Sequence, residues 1–79
     1  MKVYVKLFAL LRQHHPGPDR SVPLEVDLPA GARVADLSAA LRLPPKLVRT
    51  AFVNNQAVDL QAPLAEGDQV RLFPPIVGG

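Results

Sequence analysis

The sequence predicts an α+β domain, a mixed sheet of four or five strands packed on one main helix. Three observations lead there. Residues 2–8, 22–28 and 69–73 alternate apolar and polar side chains with the period of a half-buried strand. Val34, Leu37 and Leu41 recur at helical spacing, so they share one face. Proline- and glycine-rich turns separate these stretches.

Taken in order, Val3, Val5 and Leu7 alternate with Lys2, Tyr4, Lys6 and Phe8, which predicts a first strand over residues 2–8. Phe8 to Gln13 contains good helix formers but has room for two turns at most. His14-His15-Pro16-Gly17-Pro18-Asp19 then stops a helix, because proline lacks a donor and crowds the preceding turn. Residues 14–21 are expected to form an exposed loop. Val22, Leu24, Val26 and Leu28 should face inward on a second strand, with Glu25 and Asp27 in water and Pro23 suited to a sheet edge.

Pro29-Ala30-Gly31-Ala32 is a turn leading into a helix over about residues 34–42, supported by alanines and ended by Pro44-Pro45. A further helical piece at Lys46-Leu47-Val48 is the alternative continuation. Ala51-Phe52-Val53 and Ala57-Val58 are short strands around Asn54-Asn55-Gln56, residues that tolerate a left-handed turn. A turn at Gly67 precedes the last strand, Gln69–Phe73, with Val70 and Leu72 on one face and Arg71 and Phe73 on the other. The expected division is a domain over 1–73 and an extended tail over 74–79.

Composition excludes several classes. A chain of 79 residues is one small domain, and it has no cysteine for a disulfide, a thiolate metal site or a nucleophile. Nine Lys and Arg residues are scattered against seven Asp and Glu, giving a net charge of +2. With no basic run, a nucleic-acid footprint is not expected. No apolar run nears the ~20 residues that span a bilayer, and the alternating N-terminus lacks a signal peptide's apolar core. The expectation is a cytoplasmic protein with no membrane or nucleic-acid partner.

Candidate chemistry is sparse. His14 and His15 are adjacent on a loop with no third ligand in view, so no metal is expected. The carboxylates fall on turns, exposed strand faces and, at Asp36, a first helical turn where negative charge complements the helix dipole. No spacing suggests an acid–base pair, a phosphate loop or a nucleophile motif.

The last seven residues, Phe73-Pro74-Pro75-Ile76-Val77-Gly78-Gly79, are different. At average glycine usage, a Gly-Gly end arises by chance in roughly 0.5% of chains. By composition alone it is either a frayed or truncated end or an acyl handle. As a handle it has a physical rationale. Two glycines pass a tunnel too narrow for any Cβ, Ile76 and Val77 add apolar grip, and the prolines hold the tail's root out of the sheet. The α-carboxylate of Gly79 is ionised at neutral pH and becomes an electrophile only when activated, for example as an acyl adenylate.

Strands, helix, strands and a terminal Gly-Gly resemble the ubiquitin-like β-grasp pattern. "PLAEGDQVRLFPPIVGG", with the opening "MKVYVKLFALLRQ", is similar to the MoaD/ThiS sulfur-carrier family, and within it to the branch that serves as the small subunit of molybdopterin synthase. The resemblance covers the whole chain, and Phe-Pro-Pro-x-x-Gly-Gly is its most specific part. It implies a carrier rather than an enzyme, with no bound cofactor and with ATP used by an activating enzyme. An E1-like (MoeB-like) adenylating enzyme would activate Gly79, a sulfur donor protein would convert it to a thiocarboxylate, and the tail would enter the large (MoaE-like) synthase subunit. There sulfur would pass to cyclic pyranopterin monophosphate, typically in a heterotetramer. Carried over, Gly79 bears the adenylate and thiocarboxylate and Gly78 gives clearance. Val77, Ile76, Pro75, Pro74, Phe73 and Phe8 are the partner contacts. Gln13, Ala57 and the proline-broken 37–50 region depart from the family's usual pattern. Carriers for thiamin or another pathway, ubiquitin-like modifiers and non-covalent β-grasp adaptors are the alternatives.

Overall fold

Alternation along the chain becomes a five-stranded sheet in the computed structural model, which describes residues 1–17 and 21–75. The strands are β1 (Lys2–Leu7), β2 (Leu24–Asp27), β3 (Thr50–Val53), β4 (Gln56–Val58) and β5 (Gln69–Phe73), and the helix is α1 (Val34–Ala40). Their order across the sheet is β2-β1-β5-β3-β4. The β1–β5 pair is parallel and the other three pairs are antiparallel, so the sheet is mixed as expected.

Inward residues form one core. Val3, Val5 and Leu7 of β1, Ala51 of β3, and Val70 and Leu72 of β5 are buried against Val34 and Leu37 of α1, with Leu11, Leu28, Leu43 and Leu64 closing the sides. A domain this small hides only about 60–65% of its extended surface, so each of these side chains carries a large share of the stability.

The ends of α1 show how local chemistry sets its length. The Arg33 N–H donates to the Asp36 carboxylate at 2.8 Å. Arginine offers no acceptor in return, so only the reach-back half of a capping box forms. The next two N–H groups, of Val34 and Ala35, donate to the carbonyls of Ala62 and Leu60. A returning loop thus satisfies donors that a helix start leaves free.

The helix stops earlier than the proline pair suggested. Arg42 takes a left-handed φ of 57° and donates to the Ala39 carbonyl, and Leu43 donates to the Ser38 carbonyl. These are the two bonds of a Schellman motif, with arginine in the position glycine usually holds. Leu43 then folds into the core. Pro44 and Pro45 follow a finished helix and open a separate 3-10 turn, Pro45–Leu47.

Three other expectations change. The segment after β1 is a 3-10 helix, Ala9–His14, rather than α-helical turns. Val22 is 51% exposed and lies before β2, because the edge strand pairs with β1 only from Leu24. His15 is not a freely solvated loop histidine. Its Nδ1 accepts from the Gly17 N–H at 2.9 Å, which leaves Nε2–H to donate to the Val22 carbonyl at 2.8 Å.

The hairpin of β3 and β4 follows the asparagines. Asn54 and Asn55 have φ of 50° and 71°, both positive as a two-residue type I′ turn requires. Asn54 and Asp68 then clamp the start of β5. The Asn54 amide donates to one Asp68 oxygen, the Ala65 N–H donates to the other, and the Gln69 N–H donates to the Asn54 carbonyl oxygen. Gly67, at φ 83°, makes the turn before them.

Leu37 is fully buried where α1 meets the core, so Leu37→Ala is expected to lower the unfolding free energy by ~2–5 kcal/mol in urea denaturation. A loss under about 1 kcal/mol would contradict the packing described for α1.

Candidate functional site

The outward face of the sheet is set by the same alternation that builds the core. Tyr4, Lys6 and Phe8 follow one another along β1, Arg71 and Phe73 along β5, and Phe52 stands on β3 opposite Arg71. Phe8 extends the β1 line, and its N–H donates to the Leu72 carbonyl at 3.2 Å. Its ring stacks on Phe73 with centroids 4.5 Å apart and planes 14° from parallel. Phe52 meets Phe73 edge-on at 5.6 Å. The three phenylalanines of the chain therefore form one cluster on the face turned away from α1, and none of them is fully buried.

Ala9 is central to this geometry. Its φ of 52° is unfavourable for a residue with a Cβ and costs roughly 1 kcal/mol. The left-handed turn redirects the chain sharply. Phe8 stays on the open face while Leu11, three residues on, is buried in the core. Leu10, between them, is left 51% exposed beside the cluster. Ala9, Leu10, Thr50, Phe52, Phe73, Pro74 and Pro75 together line a mostly apolar depression.

The root of the tail starts inside this depression. The Arg49 N–H donates to the Phe73 carbonyl at 3.0 Å, holding the end of β5 beside β3. Pro74 has no N–H to continue the ladder, so the strand ends there. Pro74 and Pro75 remain half-buried against the cluster.

Four of the expected contact residues, Phe8, Phe73, Pro74 and Pro75, are thus brought together. Ile76, Val77, Gly78 and Gly79 lie outside the described residues. Phe52, Leu10 and Thr50 also line the depression, and the sequence reading did not single them out. Phe52 alternates with Ala51, which marks it as outward once Ala51 is inward. Nothing local told which partner strand it would meet. Ala57 is exposed and pairs with Phe52, so a small residue borders the cluster on the β4 side.

Among the described residues no group of three or more His, Asp or Glu side chains is placed to hold a metal, and no helix is long and apolar enough to cross a membrane. Asp36, Asp59 and Asp68 are engaged in a cap and turns, Glu66 accepts from the Lys2 N–H, and Glu25 forms an ion pair with Lys2 at 3.6 Å. What the described residues present is an open, mostly apolar aromatic depression that ends at Pro74 and Pro75.

Comparison with known proteins agrees with that geometry. The ThiS family model matches residues 5–79. Protein RnfH of Burkholderia mallei (strain NCTC 10229) is 36% identical over 66 residues, covering 76% of this chain and 60% of RnfH. The chain therefore spans about three-fifths of that relative's length. Among solved structures, the putative molybdopterin converting factor subunit 1 of Pyrococcus furiosus is 30% identical with a TM-score of 0.70, covering 95% of this chain and 98% of that one. SAMP1, a small archaeal modifier protein of Haloferax volcanii, is 27% identical with a TM-score of 0.68 over the full length of both chains. The complex of subunits 1 and 2 of molybdopterin-converting factor from Helicobacter pylori 26695 contains a chain 27% identical to this one, with a TM-score of 0.59 and full coverage of both. The fold is the ubiquitin-like β-grasp.

The stacked rings give a direct test. In a double-mutant cycle, Phe8→Leu and Phe73→Leu should show a coupling of ~0.5–1.5 kcal/mol in unfolding free energy. Additive effects would mean that the two rings do not support each other.

Proposed function

The chain belongs to the ThiS family of ubiquitin-like sulfur carriers, and from that premise we propose that it is the sulfur-carrier small subunit of a molybdopterin synthase. The observation that carries this reading is the end-to-end likeness to subunit 1 of molybdopterin converting factors, together with a family match that runs through Gly79.

In this reading residues 1–73 are the docking domain and residues 74–79 the carrier segment. An oxygen of the Gly79 carboxylate attacks the α-phosphorus of ATP on an E1-like adenylating enzyme, and pyrophosphate leaves. Sulfide-level sulfur delivered by a donor protein then attacks the acyl carbon, AMP leaves, and a thiocarboxylate remains. The aromatic cluster of Phe8, Phe52 and Phe73 seats the large synthase subunit, while Pro74 and Pro75 direct the tail into that subunit's active site. Gly78 and Gly79 bring the sulfur to cyclic pyranopterin monophosphate. The chain itself contributes no acid, base or metal to these steps. Catalytic groups belong to the partners, and the complex of subunits 1 and 2 from H. pylori supports a partner of this kind.

A second reading is favoured by the likeness to the H. volcanii modifier protein. The same adenylate, attacked by a lysine amine instead of sulfur, would join Gly79 to a target protein by an amide bond.

Intact-mass spectrometry separates the two. After incubation with ATP, an adenylating enzyme and a sulfur source, the carrier reading expects a mass gain equal to exchange of one oxygen for sulfur. The thiocarboxylated protein should then support molybdopterin formation with a large synthase subunit. Protein conjugates without thiocarboxylate would favour the modifier. Deleting Gly79 should abolish either product, whereas an adaptor that binds non-covalently would keep its binding.

A further inference from the structure

We propose that Lys6 and Arg71 form an anion subsite on the open sheet face, and that it takes the carboxylates of an acidic segment of a partner protein. The parallel register of β1 and β5 places Lys6 directly beside Arg71. Their sequence neighbours Val5, Leu7, Val70 and Leu72 are all buried, so both cations project to the opposite, open side. Like charges at paired positions of neighbouring strands destabilise a sheet.

Tyr4, Lys6, Asn54, Asn55, Gln69 and Arg71, with Pro23 and Val70, line a depression of mixed polarity, and among the described residues Lys6 and Arg71 are its only charged side chains. Among the described residues, neither has a carboxylate partner. Glu25 pairs with Lys2, and Asp68 is held by Asn54 and the Ala65 N–H.

The guanidinium of Arg71 is also pre-positioned. Its Nη2 donates to the Asn55 side-chain oxygen, and its centre lies 5.5 Å from the Phe52 ring centroid. A guanidinium held this way keeps further N–H donors for a planar carboxylate and has little freedom left to lose on binding. Tyr4, one outward step along β1 from Lys6, adds a hydroxyl to the same depression. Because Arg71 stands opposite Phe52, the subsite adjoins the aromatic cluster. A protein covering the cluster reaches the cations as well.

Charge distribution favours a protein over a nucleic acid. A phosphate backbone needs a longer track of cations than this pair supplies, and the chain's net charge is only +2. The neighbouring rings pack on one another, Phe8 on Phe73 and Phe52 edge-on, rather than standing free for bases. The subsite stands on its own geometry, whether or not Gly79 carries sulfur.

Two readouts on the intact chain test it. In an amide chemical-shift titration, a capped hexaglutamate peptide should perturb Tyr4–Lys6, Asn55 and Arg71, and a capped hexaglutamine peptide should not. Lys6→Glu should weaken hexaglutamate binding about fivefold or more, while Lys46→Glu, outside the depression, should leave it unchanged. The same Lys6→Glu should raise the thermal midpoint by about 2–5 °C, because it turns a repulsive cross-strand pair into an attractive one. Loss of binding together with a gain in stability supports the subsite. Absent or diffuse shifts, equal weakening by Lys46→Glu, or a lowered midpoint for Lys6→Glu would overturn it. Tighter binding of an oligothymidylate of the same charge at the same amides would overturn the protein partner in favour of a nucleic acid.

Discussion

The parallel pairing of β1 with β5 joins residues from opposite ends of the chain, and both faces of the sheet depend on its register. Val5 beside Val70 and Leu7 beside Leu72 put four apolar side chains into the core. The same register puts Lys6 beside Arg71 and carries Phe8 to Phe73 on the other side. Side chains alternate strictly along a strand, so a slip of one residue in β5 would exchange the two sets. Burial of Val70 and Leu72 therefore fixes where the cations and the aromatic rings stand. Core and aromatic face are two consequences of one alignment.

That alignment is held by contacts beyond the ladder. The Gly67 N–H donates to the Lys2 carbonyl and the Tyr4 N–H to the Asp68 carbonyl, so the turn before β5 is stitched to β1. Glu66 accepts from the Lys2 N–H through both carboxylate oxygens, at 3.1 and 3.2 Å. Hydrogen bonds of this kind are individually modest in net free energy, on the order of 1 kcal/mol. In a domain with a small core they also serve to select one register from several that would bury similar apolar area. At the other end of β5, Arg49 holds the Phe73 carbonyl and Pro74 ends the ladder. The end of β5 and the two prolines after it thus lie in the aromatic depression.

Under the proposed function, a root held in this way suits a segment whose reactive group is at its far end. A carrier needs its domain recognised and its terminus delivered, and under the proposed function the two tasks are separated along the chain. Recognition would fall to side chains on strands, which packing holds in place. Delivery would fall to residues that follow two prolines in the sequence. The strained Ala9 belongs to the first task, because its left-handed turn lets residues three apart serve opposite faces: Phe8 the aromatic cluster and Leu11 the core.

The sequence by itself determined the strand periods, the single helix, the left-handed asparagine turn and the proline-led exit of the tail, because each follows from interactions among near neighbours. It also identified the family through the Phe-Pro-Pro-x-x-Gly-Gly end. Tertiary structure decided what depends on register and on partners distant in the chain. Phe52 joined Phe8 and Phe73 only because β3 pairs with β5, a contact that local alternation does not specify. Arg71 read as an ordinary outward residue until the parallel pairing set it beside Lys6. Val22 fit an alternating pattern and yet lies outside the sheet, because pairing, and not pattern alone, sets where a strand begins. Helix α1 ended at a Schellman turn on an arginine, where local propensity favoured continuing to the prolines and burial of Leu43 outweighed it.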